Sequence, residues 1–178
     1  MNMVTNTTQS ISSKNTSINT LNGAYKQIEG KYPIGTVIFD YGCGRFNTNR
    51  DFATQCGYCW FGYDPYNRTK EENMENINHV IERRYAPDIV MLNNVLNVLD
   101  STNSMNDILS DIYYTYSDEH TDIYITIYEG DKSGVGKETT KGYQRNEKLN
   151  NYIGYISEWF DVEKVKGCSN ILKCRKVV

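Results

Sequence analysis

Short apolar segments alternate with helix-like ones through the centre of this chain, and no other feature limits the fold as strongly. Runs rich in β-branched and aromatic residues end in turn sequences such as Gly-Cys-Gly, Asp-Pro and Asn-Asn. These runs occupy residues 36–40, 58–63, 78–81, 88–92 and 121–128, of which 78–81 is the weakest. Strands separated by helix-length segments are typical of βαβ units. The alternation therefore predicts an α/β protein with a mostly parallel sheet.

Helical periodicity and a closing hairpin complete the predicted elements. Apolar residues recur at helical spacing in 21–28, 105–116 and 149–160. Ser104 stands three residues before Asp107, which is the pattern of a helix N-cap, so we expect the second of these helices to begin there. An alternating segment at 162–166, a turn at Gly167 and an apolar segment at 171–178 predict an antiparallel hairpin.

The length and composition indicate one domain preceded by a tail. The chain has 178 residues, a usual size for one domain. Residues 1–20 hold thirteen Asn, Ser or Thr residues and a single charged one, and such a segment does not fold by itself. We expect a flexible tail over 1–20 and a single domain over 21–178. Because no apolar run of membrane length and no signal-peptide pattern is found, we expect a cytoplasmic protein without a membrane partner.

The net charge and the cysteines argue against a general nucleic-acid-binding protein, a disulfide-bonded protein and a zinc protein. A net charge of −3 does not favour broad contact with a nucleic-acid backbone, although it leaves a local basic patch open. An odd number of cysteines, five, disfavours a disulfide framework. Cys56, Cys59, Cys168 and Cys174 form two pairs that resemble zinc ligands. However, the predicted strands of Cys59 and Cys174 lie roughly 19 Å apart, so no metal site is predicted.

The most specific motif is the glycine-rich turn after the first predicted strand. Residues 39–46 are Phe-Asp-Tyr-Gly-Cys-Gly-Arg-Phe, and glycines at such a turn allow a ligand to approach the backbone closely. Asp64 stands twenty residues after Gly44 at the end of the next predicted strand, where a carboxylate accepts hydrogen bonds from a ribose diol. Together they predict a nucleoside-containing cofactor. A dinucleotide is disfavoured, because Asn47 occupies the position of the third glycine.

The acid-x-Gly-x-Gly motif at Asp40, Gly42 and Gly44 resembles the first motif of class I S-adenosylmethionine-dependent methyltransferases. The resemblance implies a Rossmann-like fold, with a mostly parallel seven-stranded sheet, an antiparallel C-terminal strand and helices on both faces. It implies that Asp40 lies near the cofactor's methionine amino group and that Asp64 holds the ribose diol, with the two glycines lining the methionine and ribose side. The cofactor-binding residues expected from it are Asp40, Tyr41, Gly42, Cys43, Gly44, Asp64, Pro65, Asn93 and Asn94.

Two longer segments resemble one particular group within this superfamily. Residues 87–99 and 128–146 look like those of small methyltransferase-like proteins of phages and mobile elements, which implies a bacterial host cell. In methyltransferases the residues after the fourth strand lie beside the methyl-transfer centre, so the resemblance places Asn93, Asn94 and Asn97 near substrate. Polar amides there either bind a ligand or cap the next turn, and the sequence leaves both open.

The glycine-rich segment after the last predicted parallel strand has two interpretations. It is a mobile loop, or it is a substrate lid at the carboxyl edge of the sheet that carries Lys132, Lys137 and Lys141. A phosphate-binding P-loop does not fit, since Glu138 stands where Ser or Thr should follow the lysine. The expected substrate-binding residues are Asn97, Lys132 and Lys137.

The sequence thus predicts an S-adenosylmethionine-dependent methyltransferase whose acceptor, a small molecule, a protein or a nucleic acid, is open. Residues 93–99 lack the Pro-Pro-Tyr run and the Pro-Cys nucleophile of base methylation. No catalytic residue or oligomeric state is assigned, and we expect the tail over 1–20 to fold over the cofactor. Two alternatives stay open: a non-catalytic protein that binds S-adenosylmethionine, and an enzyme that degrades it.

Overall fold

A computed structural model describes residues 12–83 and 85–177 and contains a six-stranded sheet beside a small hairpin. The strands are β1 (Val37–Tyr41), β2 (Cys59–Tyr63), β3 (Ile89–Asn93), β4 (Asp122–Thr126), β5 (Lys137–Thr139), β6 (Gly142–Gln144), β7 (Phe160–Lys164) and β8 (Ile171–Lys176). The large sheet has the order β2-β1-β3-β4-β8-β7, and its first four strands are parallel. β8 runs antiparallel to both of its neighbours, β4 and β7. The predicted α/β class and the closing hairpin are confirmed.

The number of strands differs from the prediction. The seven-stranded sheet is corrected to six strands within the described residues, because the segment 78–81 is helical. It forms the end of α3 (Lys70–Ile81), which begins at a capping box in which Thr69 and Glu72 each accept the other's backbone N–H. Ile77 and Val80 are buried with a helical spacing of three residues. The cap and this periodicity extend the helix through a run too short to form a strand by itself.

Helices cover both faces of the sheet, as predicted. The other four α-helices of the described residues are α1 (Gly23–Ile28), α2 (Thr48–Gln55), α4 (Thr102–Asp111) and α5 (Leu149–Ile156). A 3₁₀ turn spans Leu96–Val98, and α4 continues into a π-helical turn over Ile112–Tyr116. The first two helices pack with Ile38 and Ile89 on one face, whereas the last two and α3 pack with Phe39 and Leu92 on the other. Every residue of β1 is buried, as expected for a parallel strand covered on both sides.

The sheet order positions the site. After β1 the chain first adds β2 on one side and later β3 on the other, so the carboxyl ends of β1 and β3 flank a topological switch point. The hairpin of β5 and β6 stands at the same edge, where Arg145 donates its N–H to Asn97 O at 2.9 Å. The Asn97 side chain also donates to Gln144 Oε1 at 3.2 Å. This edge is where open α/β sheets bind ligands.

Three expectations concern features outside the sheet. No helix within residues 12–83 and 85–177 has both the length and the apolar character needed to cross a membrane. The same residues contain no group of three or more His, Cys, Asp or Glu side chains that could hold a metal ion. Of the predicted tail, residues 1–11 lie outside the described residues, and the division at residue 20 stays a prediction.

The N-terminus of α4 differs from the sequence prediction and gives a test of the fold. Ser101 caps this helix, because its side chain accepts the N–H of Ser104, and Ser104 itself lies buried inside the first turn. Ser101→Ala is expected to lower the free energy of unfolding by about 1 kcal/mol in chemical denaturation. Asn103→Ala, at an exposed position of the same turn, should change it by less than about 0.5 kcal/mol. Equal losses in both variants would contradict this cap.

Candidate functional site

The glycine turn after β1 has a backbone that only glycine accepts readily. Gly42 and Gly44 have φ angles of 81° and 73°, in the left-handed region that disfavours side chains. A Cβ at Gly42 would lie 2.5 Å from Val95 Cγ2, and one at Gly44 would lie 2.9 Å from Ser17 Oγ. The turn is therefore packed against the segment after β3 and against the N-terminal segment, which is defined as the described residues before α1, 12–22.

The N–H groups of this turn are all directed at the end of β2. Gly42 and Cys43 donate to Tyr63 O at 2.7 and 3.0 Å. Gly44 donates to Asp64 Oδ2 at 2.9 Å. The turn thus offers a ligand a bare backbone surface rather than a set of N–H donors, and its position is fixed by the neighbouring strand.

Asp64 uses one carboxylate oxygen for its own turn and the other for the glycine turn. Oδ1 accepts from the backbone N–H groups of Tyr66 and Asn67 and from Asn67 Nδ2, at 2.8–3.1 Å. Oδ2 accepts only the Gly44 N–H among the described residues, which leaves it one acceptor site. The Asn73 amide holds the Asp64 backbone from both sides, at 2.9 and 3.0 Å. A ribose hydroxyl would find Oδ2 already oriented.

Asp40 lies beneath the cavity wall rather than in it. The residue is fully buried, and its Oδ2 accepts the Tyr25 hydroxyl at 2.8 Å, which in turn accepts Trp60 Nε1 at 2.8 Å. Its Oδ1 accepts Asn93 Nδ2 at 3.4 Å. Burial raises the pKa of Asp40 to about 6. Asp40, which is expected among the cofactor-binding residues, therefore does not line the cavity, whereas its partner Asn93 does.

Arg68 holds the far side of the glycine turn and was missed by the sequence analysis. Its Nε donates to Gly44 O at 3.1 Å, and its Nη2 donates to Asn47 Oδ1 at 2.9 Å and to Phe46 O at 3.4 Å. Asn47, which occupies the third-glycine position of a dinucleotide-binding loop, thus has its side chain held by Arg68. No local pattern in the sequence marks this arginine.

A cavity of about 300 Å³ opens between the ends of β1, β2 and β3, which is within the usual range for small ligands. All of the expected cofactor residues except Asp40 line it: Tyr41, Gly42, Cys43, Gly44, Asp64, Pro65, Asn93 and Asn94. The lining residues that sequence reasoning missed include Val95 and Leu99 from the segment after β3, and Tyr66 and Asn67 from the turn after β2.

The N-terminal segment closes one side of this cavity. Ser17 Oγ accepts the N–H of Arg45 at 3.2 Å, and the Arg45 guanidinium donates to Lys14 O at 2.7 Å. Ser13 Oγ donates to Val98 O at 3.4 Å. Residues 13, 16, 17, 18 and 20 line the cavity, so this part of the predicted tail lies over the expected cofactor site.

A second cavity, of about 520 Å³, lies between the N-terminal segment and the β5–β6 hairpin. Of the three expected substrate residues, Asn97 and Lys137 line it. Lys132 lines neither cavity and pairs with Glu129 at 2.8 Å. Lys137 forms an ion pair with Asp131 at 2.9 Å.

The chain is similar in structure to several solved proteins, but its sequence matches no known family. No protein-family model and no curated protein matches the chain. A Burkholderia thailandensis 1,6-didemethyltoxoflavin N1-methyltransferase, crystallised with 1,6-didemethyltoxoflavin and S-adenosylhomocysteine, aligns over 87% of this chain and 77% of its own with a TM-score of 0.60 and 16% identity. The chain has the class I methyltransferase fold.

Two other solved methyltransferase structures also align with most of this chain. An S-adenosylmethionine-dependent methyltransferase from Methanosarcina mazei aligns over 85% of this chain and 97% of its own, with a TM-score of 0.57 and 9% identity. An S-adenosylmethionine-dependent methyltransferase from Clostridium acetobutylicum aligns over 85% of this chain and 87% of its own, with a TM-score of 0.52 and 10% identity. The similarity to phage and mobile-element proteins stays a prediction.

The buried Asp40 gives a pH test of the site. Its pKa of about 6 in the folded protein exceeds the usual value near 4 of an unfolded chain, so the folded state holds the proton more tightly. Stability from this group is present below about pH 4 and is lost as the pH rises through about 6. Relative to Asp40→Asn, the wild type should lose up to about 3 kcal/mol of unfolding free energy between these pH values.

Denaturant titrations of both proteins across this pH range measure that difference. Subtracting the variant's curve removes the contribution of the other carboxyls, several of which have lowered pKa values and the opposite slope. A difference that does not change with pH would mean that Asp40 is not buried as described.

Proposed function

We propose that this protein is an S-adenosylmethionine-dependent methyltransferase. The observation that carries the proposal is the meeting of the Gly42–Gly44 turn and Asp64 Oδ2 at one cavity. The sequence predicts this pair for a nucleoside cofactor, and the cavity lies at the switch point of a methyltransferase fold. The similar Burkholderia enzyme binds S-adenosylhomocysteine, which supports the same cofactor here.

The residues present fit this cofactor. Asp64 Oδ2 retains an acceptor site for a ribose hydroxyl, and the two glycines line the same cavity without side chains that would project into it. The buried Asp40 carboxylate gives the region around Asn93 a negative electrostatic potential, which favours a cationic ligand. When bound, S-adenosylmethionine supplies a methyl group activated by a sulfonium.

The chain contributes positioning and exclusion of water. Burial raises the pKa of the Cys43 thiol, with Asp40 as a further cause, so this cavity residue is a neutral thiol rather than a thiolate nucleophile. Histidine is the side chain that most often acts as a general base, but neither His79 nor His120 is among the described residues that line the two cavities. Holding two reactants in contact accelerates a bimolecular reaction strongly by itself, which is sufficient for an acceptor that is already nucleophilic.

The role of Asp64 is tested with a ligand change rather than with a protein change alone. S-adenosylhomocysteine and its 2′-deoxy analogue are titrated by calorimetry into the wild type and into Asp64→Asn. We expect the wild type to bind the 2′-deoxy analogue about tenfold more weakly, because a hydrogen bond to a carboxylate is lost. In Asp64→Asn this ratio should fall towards one.

The design separates ligand contact from damage to the turn. Asp64 also fixes the glycine turn, so its replacement weakens both ligands, but only a direct contact changes the ratio between them. Asp161→Asn, at an exposed position of β7, serves as the matched control and should keep the wild-type ratio. An unchanged ratio in Asp64→Asn would remove Asp64 from the ribose site.

The reaction is tested by the product formed from the cofactor. The purified protein is incubated with S-adenosylmethionine and, in turn, with the small-molecule, protein and nucleic-acid fractions of a bacterial lysate, and the nucleoside products are identified by mass spectrometry. We expect S-adenosylhomocysteine that depends on the added fraction. Methylthioadenosine would identify a degrading enzyme, and tight binding without turnover would identify a non-catalytic binding protein.

A further inference from the structure

The cavity between the ends of β1, β2 and β3 has an unbalanced set of charges. Asp64 is the only Asp, Glu, Lys, Arg or His side chain among the described residues that line it. S-adenosylmethionine carries one carboxylate and two positive groups, an ammonium and a sulfonium. The carboxylate finds no cationic side chain among these residues, whereas a positive group is favoured by the carboxylate of Asp64.

A second carboxylate lies directly beneath the wall of this cavity. Asp40 is fully buried, and it accepts hydrogen bonds from Asn93, which lines the cavity, and from the uncharged hydroxyl of Tyr25. Within residues 12–83 and 85–177, neither Asp40 nor Asp64 forms an ion pair. Because charges interact more strongly where water is excluded, a buried carboxylate without a cation of its own attracts a cationic ligand.

Two titratable side chains that line the cavity indicate a negative potential there. Burial raises the pKa of Tyr63 to about 12, and neighbouring carboxylates, Asp64 among them, are further causes. Burial also raises the pKa of the Cys43 thiol, and the next cause is Asp40. Arg68 acts on this thiol in the opposite direction, but it does not line the cavity. The carboxylates thus disfavour added negative charge and favour a cation at the same place.

Methyl transfer changes the charge of the molecule that this cavity would hold. When the S–CH₃ bond of S-adenosylmethionine breaks, its electron pair stays on sulfur, and the positive charge leaves with the methyl group for the acceptor. The sulfonium thereby becomes the neutral thioether of S-adenosylhomocysteine. The adenosine and amino-acid parts of the two molecules are the same, so the carboxylates at the cavity distinguish them by the charge at sulfur.

We infer that this cavity selects its ligand by charge: it binds S-adenosylmethionine about tenfold more tightly than S-adenosylhomocysteine, and Asp40 is a residue that determines this preference. The inference rests on the proposed function, and it adds which of two nearly identical nucleosides the site retains. At equal concentrations of cofactor and product, most of the protein then holds the cofactor, so accumulated product inhibits the reaction only weakly.

The preference is measured by calorimetry without an acceptor and therefore without turnover. Three nucleosides are titrated into the wild type: S-adenosylmethionine, S-adenosylhomocysteine and sinefungin, an analogue in which a carbon bearing an ammonium group replaces the sulfonium. The titrations are made at about pH 7.5, where Asp40 is ionised because its pKa is about 6. We expect both cationic ligands to bind about tenfold more tightly than S-adenosylhomocysteine. Equal affinities, or tighter binding of S-adenosylhomocysteine, would overturn the inference.

Asp40→Asn tests whether this carboxylate determines the preference. The variant removes the negative charge and keeps an oxygen that accepts the Tyr25 hydroxyl, so the ratio of the two affinities should fall towards one. Damage to the fold would weaken both ligands together, and only a loss of charge selection changes their ratio. Asp161→Asn, at an exposed position of β7, removes a carboxylate far from the cavity wall and should keep the wild-type ratio.

The same titrations separate this inference from the proposed function. A wild-type preference that persists unchanged in Asp40→Asn would come from packing of the extra methyl or ammonium group, and the role of Asp40 would be refuted. If S-adenosylhomocysteine binds and S-adenosylmethionine binds no more tightly, the cofactor site stands and charge selection fails alone. If none of the three nucleosides binds to the wild type, the proposed function fails as well.

Discussion

The carboxylate of Asp64 holds the two halves of the site in register. It accepts the Gly44 N–H from the turn after β1 and, through its other oxygen, the N–H groups of the turn after β2. The end of β2 holds the start of the glycine turn, because Tyr63 O accepts the N–H groups of Gly42 and Cys43. Asp64 extends this connection beyond the ends of the strands, and Arg68 completes it from the other side of the glycine turn.

Sequence reasoning predicted those parts of the site that depend on short-range geometry. Gly42 and Gly44 follow a buried strand, and Asp64 ends the next one, so spacing along the chain is enough to place them at one edge. The failures also have a local cause. The run 78–81 has an apolar pattern that fits either a strand or a helix end, and the capping box at Thr69, which decides between them, lies nine residues upstream.

The parts that the sequence did not predict are set by contacts between distant segments. Asp40 and Ile38 face the same side of the sheet by strand alternation, but only the packing of α1 brings the Tyr25 hydroxyl to that carboxylate. Arg68 and Ser17 join the site from loops whose paths no periodicity specifies. The same holds for the side-chain orientations of Asn93 and Asn97, which depend on Thr126 and Gln144.

These contacts divide the polar groups of the site into two kinds. Asn93, Asn97 and Asp64 Oδ1 hold hydrogen bonds within the protein and therefore fix shape. Asp64 Oδ2 keeps one acceptor site, and Asn94 Oδ1 has no partner among the described residues. The remaining acceptor site of Asp64 is on the oxygen that the Gly44 N–H holds, so the hydrogen bond that fixes the glycine turn also orients the group that is proposed to bind the cofactor's ribose.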